Sequence, residues 1–112
     1  MGFLLSADLI PDAIAPGRTR YLANTDHLML AVIDFNDGPA KEPDRPHAHP
    51  HEQVSYVVEG EVLFFLDGQP TRLKAGDMVT IPASIPHCLQ VLTAHARLID
   101  AFTPIREDFL AK

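Results

Sequence analysis

The sequence predicts an all-β protein, and three observations predict it. Ten prolines and six glycines punctuate a chain rich in Val, Ile, Leu and Phe, a mixture that favours short strands joined by tight turns. Apolar and polar residues alternate over short runs, as in strands with one buried face. No helical period of any length precedes residue 103. Many short strands at close spacing belong to a sandwich or a barrel, and no internal repeat or low-complexity tract interrupts them. At 112 residues the chain buries a modest core, so it is expected to form one domain over residues 1–112, with an N-terminal arm to about residue 18.

The elements are expected in the following order. A proline-bearing leading segment covers residues 8–17. Strands follow at 19–24 and 27–36, with Asn24, Thr25 and Asp26 making the turn. Residues 36–46, carrying Gly38, Pro39, Pro43 and Pro46, form a loop that delivers the chain to His47. Strands come next at 53–59, 61–67 and 71–74, and Asp67-Gly68 is the hairpin turn before the last of these. Strands at 77–82, 87–92 and 97–103 complete the set. Thr103-Pro104 has the pattern of an N-cap followed by Pro at the first helical position, which opens a short C-terminal helix with Glu107 and Asp108 in its first turn.

Charge and composition narrow the partners. The formal net charge is −6 with His neutral, and no basic patch or aromatic-basic stripe is visible, so nucleic acid is not an expected partner. The single Cys88 cannot form an internal disulfide, and in an apolar strand beside His87 it is expected as a buried free thiol. The Gly2-Phe3-Leu4-Leu5 run is too short to span a membrane, lacks a basic lead and is soon interrupted by Asp8, which predicts a cytoplasmic protein without a membrane partner.

The chemistry concentrates in His47-Ala48-His49-Pro50-His51-Glu52-Gln53. Side chains two apart on a strand share a face, so His47 and His49 can converge on one ion while Ala48 points away. Imidazole is the commonest ligand for first-row transition metals. An HxH pair standing alone is as often a surface accident as a site. Here Gly60 follows Gln53, and Gly76, Pro82 and His87 recur beyond a hairpin. His51 shares the parity of His47 and His49, but Pro50 can turn it outward, to a place behind the ligands or at a cavity mouth. Tyr56 is expected in the core or barrel wall, and His27 and His95 at the surface or an interface.

The last strand supplies a second constellation. Alternation puts Leu98, Asp100 and Phe102 on one face. If that face is internal, the Asp100 charge must be paired, neutralised or used; if it is external, an ion pair with a nearby Arg or Lys is equally compatible with the pattern. Arg106 emerges near the end of that strand, either solvated, or paired with Glu107 or Asp108, or facing a ligand.

These segments resemble the two motifs of the cupin superfamily, G-x5-HxH-x3-4-E-x6-G over residues 47–60 and G-x5-PxG-x2-H-x3-N over residues 76–91. The resemblance narrows the all-β class to the cupin double-stranded β-helix, a jelly-roll barrel. Lys41 stands where the first Gly belongs, Gln53 replaces the Glu, Ser84 the second-motif Gly and Val91 the Asn. Of these, Gln53 alters the chemistry, because a neutral amide leaves one more positive charge on the ion.

The tail Asp100-Ala101-Phe102-Thr103-Pro104-Ile105-Arg106-Glu107-Asp108-Phe109-Leu110, together with the His cluster and Tyr56-Val57-Val58-Glu59-Gly60, is similar to the small cupins of pectin and alginate breakdown, the KdgF family. That resemblance implies a metal-dependent enzyme converting cyclic 4,5-unsaturated monouronates to linear keto acids. It implies His47, His49, Gln53 and His87 as metal ligands, Asp100 as the catalytic acid/base, and Phe102 and Arg106 as sugar contacts, with Arg106 also serving catalysis by neutralising charge. The ligand set suits nickel, zinc, iron, cobalt or manganese. Two other function classes remain open: a non-haem iron dioxygenase and a non-catalytic anionic-sugar-binding module. Apolar Ile99 and Ala101 on the face opposite Asp100 predict a homodimer.

Overall fold

The computed structural model describes residues 2–110. Nine strands follow one another: β1 (Asp12–Ala15), β2 (Arg18–Asn24), β3 (Met29–Phe35), β4 (Glu52–Glu59), β5 (Glu61–Leu66), β6 (Gln69–Lys74), β7 (Met78–Ile81), β8 (His87–Val91) and β9 (Ala96–Thr103). A short helix α1 (Glu107–Leu110) ends the described chain. The strands form a six-stranded sheet in the order β1-β2-β3-β9-β4-β7 and a three-stranded sheet in the order β6-β5-β8, with every pairing antiparallel. This is the expected jelly roll, in which two sheets bury their inner faces against each other. No helix among the described residues is long and apolar enough to cross a membrane.

Alternation decides which side chains form the core. Val57, Val62, Phe64, Ile81, Val91 and Leu98 are buried between the sheets, and a second cluster of Met29, Ala31 and Phe102 fills the end nearer α1. The inner row of β9 is Leu98, Asp100 and Phe102, opposite Ile33, Ala31 and Met29 on β3 and opposite Val57, Ser55 and Gln53 on β4. Asp100 therefore faces inward, where it is buried. The same parity puts Val54 and Tyr56 outside, and Tyr56 is 40% exposed. Of its two expected places, the structure excludes the core and leaves the outer surface of the barrel wall.

The turns follow local chemistry. Asp67 and Gly68 both have positive φ, 50° and 80°, as the hairpin between β5 and β6 requires. β6 begins before Pro70, earlier than expected, because it is an edge strand on which the missing N–H of proline costs no ladder bond. Gly60 is needed twice over: its φ is +78°, and a Cβ there would come within 2.3 Å of the His95 carbonyl oxygen.

Three local expectations are corrected. The leading segment at 8–17, where no strand is expected, contains the edge strand β1, whose alternation is too weak to stand out, and a 3-10 turn at Ser6–Asp8 runs into that segment. His47 and His49 do not lie on a continuous strand, because β4 begins only at Glu52 and His47 makes an isolated bridge to His87. Thr103 does not cap a helix. It ends β9, its hydroxyl donates to the His27 carbonyl at 2.9 Å, the Thr103-Pro104 peptide is cis, and the helix starts at Glu107. Glu107 and Asp108 do occupy its first turn.

Candidate metal centre

Three segments bring the imidazoles together. The loop that follows β3 runs alongside β8, with Ala40 N–H donating to the Val91 carbonyl and Asp44 N–H to that of Leu89. It thereby delivers His47 beside His87, where each amide donates to the other's carbonyl, at 3.0 and 2.9 Å. The chain then passes His49, whose carbonyl accepts the Ser84 N–H at 2.7 Å from the turn before β8. Ser84 has φ +64°, so the position where the cupin motif carries glycine is here a serine held in the left-handed region.

One ring nitrogen from each of His47, His49 and His87 lies within 4.8 Å of the others. Three imidazole nitrogens this close could hold one ion, whose usual distance to such a ligand is about 2.0–2.2 Å. Two of the rings are pinned by the other nitrogen: His49 Nδ1–H donates to the His51 carbonyl and His87 Nδ1–H to the Ile85 carbonyl, both at 3.0 Å. Donation to a carbonyl fixes the tautomer and leaves the remaining nitrogen as a lone-pair donor. Burial is the main cause lowering the pKa of His47 and of His87, which favours the neutral, ligating form.

Gln53, the first inward residue of β4 after the loop, completes the group. Its Nε2 donates to Ser55 Oγ at 2.9 Å, and Ser55 Oγ donates to Asp100 Oδ1 at 2.6 Å. A carboxylate can only accept, so this relay orients the amide and turns Gln53 Oε1 toward His49 Nε2, 3.0 Å away. Two lone pairs then face each other. His87 Nε2, also buried, has no hydrogen-bond partner among the described residues. A cation among these atoms relieves both conditions, and three imidazoles with a neutral amide are borderline donors suited to a divalent first-row ion. The residues present fit such an ion.

A cavity of about 190 Å³ adjoins the cluster, lined by His47, Gln53, His87, Asp100, Phe102 and Arg106 among others. That is room for on the order of ten water molecules, which suits a small molecule and not a polymer. Asp100 has no ion-pair partner among the described residues, and burial pushes its pKa up to about 6, against the opposing effects of Ser55, Gln53 and Arg106. The external ion pair that alternation left open for Asp100 is thereby excluded. Arg106 forks onto Asp108 through Nε and Nη2 at 3.1 and 2.8 Å, and its guanidinium stacks over Phe109 at 4.1 Å and Phe102 at 5.5 Å. It is thus both an ion-pair partner and a cavity-lining residue.

His51 lies outside the cluster of three. Its ring is edge-on to His49 at 5.3 Å, and it is not among the residues that line the cavity. His27 is exposed, and His95 is half-exposed in a surface group with Glu59 and Asn36. Cys88 is a buried free thiol whose pKa is raised by burial. Sequence reasoning missed Ser55 and Phe109. Ser55 shares the parity of Gln53 and Val57, so alternation carried the signal, whereas nothing local announces that Phe109 folds back over the cavity.

The comparisons with known proteins agree with this architecture. The family model described as "Cupin domain" matches residues 31–102. The chain is 33% identical to the pectin degradation protein KdgF of Dickeya dadantii over 87 residues, which is 77% of this chain and 76% of that protein. The solved structure of KdgF from Halomonas sp. superposes with a TM-score of 0.87 at 31% identity, covering 97% of this chain and 98% of that one. An RmlC-like cupin from Shewanella frigidimarina gives a TM-score of 0.87 at 36% identity, covering 97% and 96%.

Proposed function

The chain belongs to the cupin family and, within it, to the KdgF group, and from that premise we propose that it linearises cyclic 4,5-unsaturated monouronates, the small anionic sugars that lyases release from pectin or alginate. His47, His49, His87 and Gln53 would hold one divalent metal ion. Bound there, the ion supplies Lewis acidity toward the substrate's oxygens. The same protein acts as an enzyme through its own side chains.

The reaction is an isomerisation. The ring C1–O bond breaks, the C1 hydroxyl gives up a proton to leave an aldehyde, C4 gains a proton, and C5 becomes a ketone. Asp100 is the group proposed to move that proton, since a carboxyl with a pKa of about 6 exchanges protons readily near neutral pH. Ser55 and Gln53 hold it in place and tie it to the metal side of the cavity. Phe102 offers an apolar wall for a sugar face, and Arg106 a positive charge for the carboxylate. A unit charge pair near 4 Å contributes about 4 kcal/mol at an effective dielectric of about 20, enough for a local cation to overcome the repulsion of an acidic protein.

The observation that carries this reading is the buried Asp100, which has no counter-ion among the described residues and is joined through Ser55 to the residue that faces His49. Protonation of C4 needs such a group beside the substrate. Incubation of the metal-loaded protein with a purified unsaturated monouronate tests it. Loss of the conjugated absorbance, abolished by chelation, is the expected result. Oxygen uptake without ring opening would favour the dioxygenase class, and tight sugar binding without turnover the binding module.

A further inference from the structure

We propose that Arg20 is a second carboxylate-recognition residue of this cavity, reading the substrate anion together with Arg106; the inference deepens the function proposed above and takes the identity of the anion from it. The placement follows from β2. Arg18, Arg20 and Leu22 share one face of that strand, and Leu22 packs against the Met29, Ala31 and Phe102 cluster, so this face is internal. Arg20 pairs in register with Ile33 and lines the same cavity as His47, His87, Asp100 and Arg106.

Three guanidiniums line that cavity, and they differ in what they already hold. Arg18 makes three hydrogen bonds, one to Asp37 and two to Asp44, and serves as a strut between β2 and the loop after β3. Arg106 has its Nε and Nη2 committed to Asp108. Arg20 keeps a buried Nε–H with no hydrogen-bond partner among the described residues. A buried donor without an acceptor is a cost that a folded protein rarely carries without a use.

The surroundings prepare that donor for a flat anion. The Arg20 guanidinium lies 3.9 Å over the Phe109 ring, the same ring on which Arg106 stacks at 4.1 Å. Stacking satisfies the guanidinium's face and leaves its N–H edges for ligands in the plane of the group, the geometry a carboxylate matches. Burial lowers the Arg20 pKa and Arg106 lowers it further, while Asp12 and Asp108 act the other way. The two guanidiniums converge on one ring, so a ligand carboxylate that reaches their free N–H edges gains from both.

The test is binding to the metal-loaded protein, measured by titration calorimetry with D-galacturonate, a saturated uronate that cannot react, and with D-galactose, which lacks the carboxylate. The wild type is expected to prefer galacturonate. Arg20→Gln should weaken galacturonate at least tenfold with metal content and galactose binding retained, and in turnover its KM should rise more than its kcat falls. Arg20→Lys keeps the charge and the stem but lacks the Nε–H at this position, so it covers the case in which the glutamine variant fails to fold and should weaken galacturonate at least threefold. Equal galacturonate affinity in wild type and a folded variant overturns the proposal, as does a wild type that does not distinguish the two sugars. A protein that shows the Arg20 effect in binding yet opens no unsaturated uronate refutes the proposed reaction and leaves the anion site standing.

Discussion

The backbone amides of His47 and His87 each donate to the other's carbonyl, so the two ends of the candidate metal cluster are locked together by the peptide chain itself. Their ring centroids lie 4.3 Å apart. The site is preorganised: metal binding has little chain entropy left to remove.

Removal of the metal should therefore destabilise the protein without unfolding it. A ligand present at 100 times its Kd adds about 2.7 kcal/mol. Thermal melting with and without chelator is expected to show a lower Tm in the stripped protein and a retained cooperative transition. In His87→Ala the chelator-dependent gap should disappear, because the orphaned Nε2 is gone.

Asp100→Asn should separate metal binding from proton transfer. The amide is nearly isosteric and Asp100 is not in the ligand cluster, so bound metal, measured by elemental analysis, should remain stoichiometric. The rate of ring opening should fall by about 10²- to 10⁴-fold. By contrast, His49→Ala should lose the metal and activity together. An Asp100→Asn variant that turns over at the parental rate would sink the assignment.

The same substitution predicts a pH dependence of stability in the metal-free protein. The folded-state pKa of Asp100 is raised from 3.8 to about 6, so its stabilising contribution is complete below 3.8 and is lost as pH rises through about 6. The loss is on the order of 2–3 kcal/mol. His47 and His87 have lowered pKa values and act in the opposite direction in both proteins, so the difference between wild type and Asp100→Asn isolates the carboxyl. Denaturant melts from pH 4 to 7.5 should show the variant gaining on the wild type as pH rises; a constant difference would contradict this.

Ser84→Gly should stabilise the fold. Ser84 has φ +64°, a conformation that costs a residue with a Cβ about 1–2 kcal/mol, and glycine returns part of that gain through the greater entropy of its unfolded chain. A net increase of up to about 1 kcal/mol in urea melts is expected. Ser84→Val, branched at Cβ, should lose stability and weaken metal binding, since the Ser84 N–H holds the His49 carbonyl.

The outer face of the six-stranded sheet predicts a homodimer. Leu30, Ala101 and Val54 align across β3, β9 and β4, and Ile99, Tyr56 and Met78 align across β9, β4 and β7. Leu30, Val54, Tyr56 and Met78 are all substantially exposed, which makes an apolar band across neighbouring strands that a second copy can cover. Light scattering at micromolar concentration should give a dimer mass, and Val54→Glu with Tyr56→Glu should give monomers. A monomeric wild type would refute the dimer and leave the metal site untouched.

The sequence by itself determined the period-two alternation, and with it most of the strands, the hairpin at Asp67-Gly68, and the fact that Leu98, Asp100 and Phe102 share one face of β9. These are local properties: a side chain's face depends on its parity within one strand, and a turn on the residues that tolerate positive φ. Only the tertiary structure decided which faces meet. Alternation left Asp100 free to be internal or external, and the pairing of β9 between β3 and β4 made it internal and brought Ser55 opposite it. His47 and His49 share a site although β4 has not yet begun there, because a loop bonded to β8 sets their positions where strand geometry does not. Nothing near residue 103 announces that the chain bends back to lay Phe109 against both Arg20 and Arg106, for that contact depends on packing against Phe102, 5.7 Å away, and on a strand from the other end of the chain. Local sequence sets which way a residue points; long-range pairing alone sets what it points at.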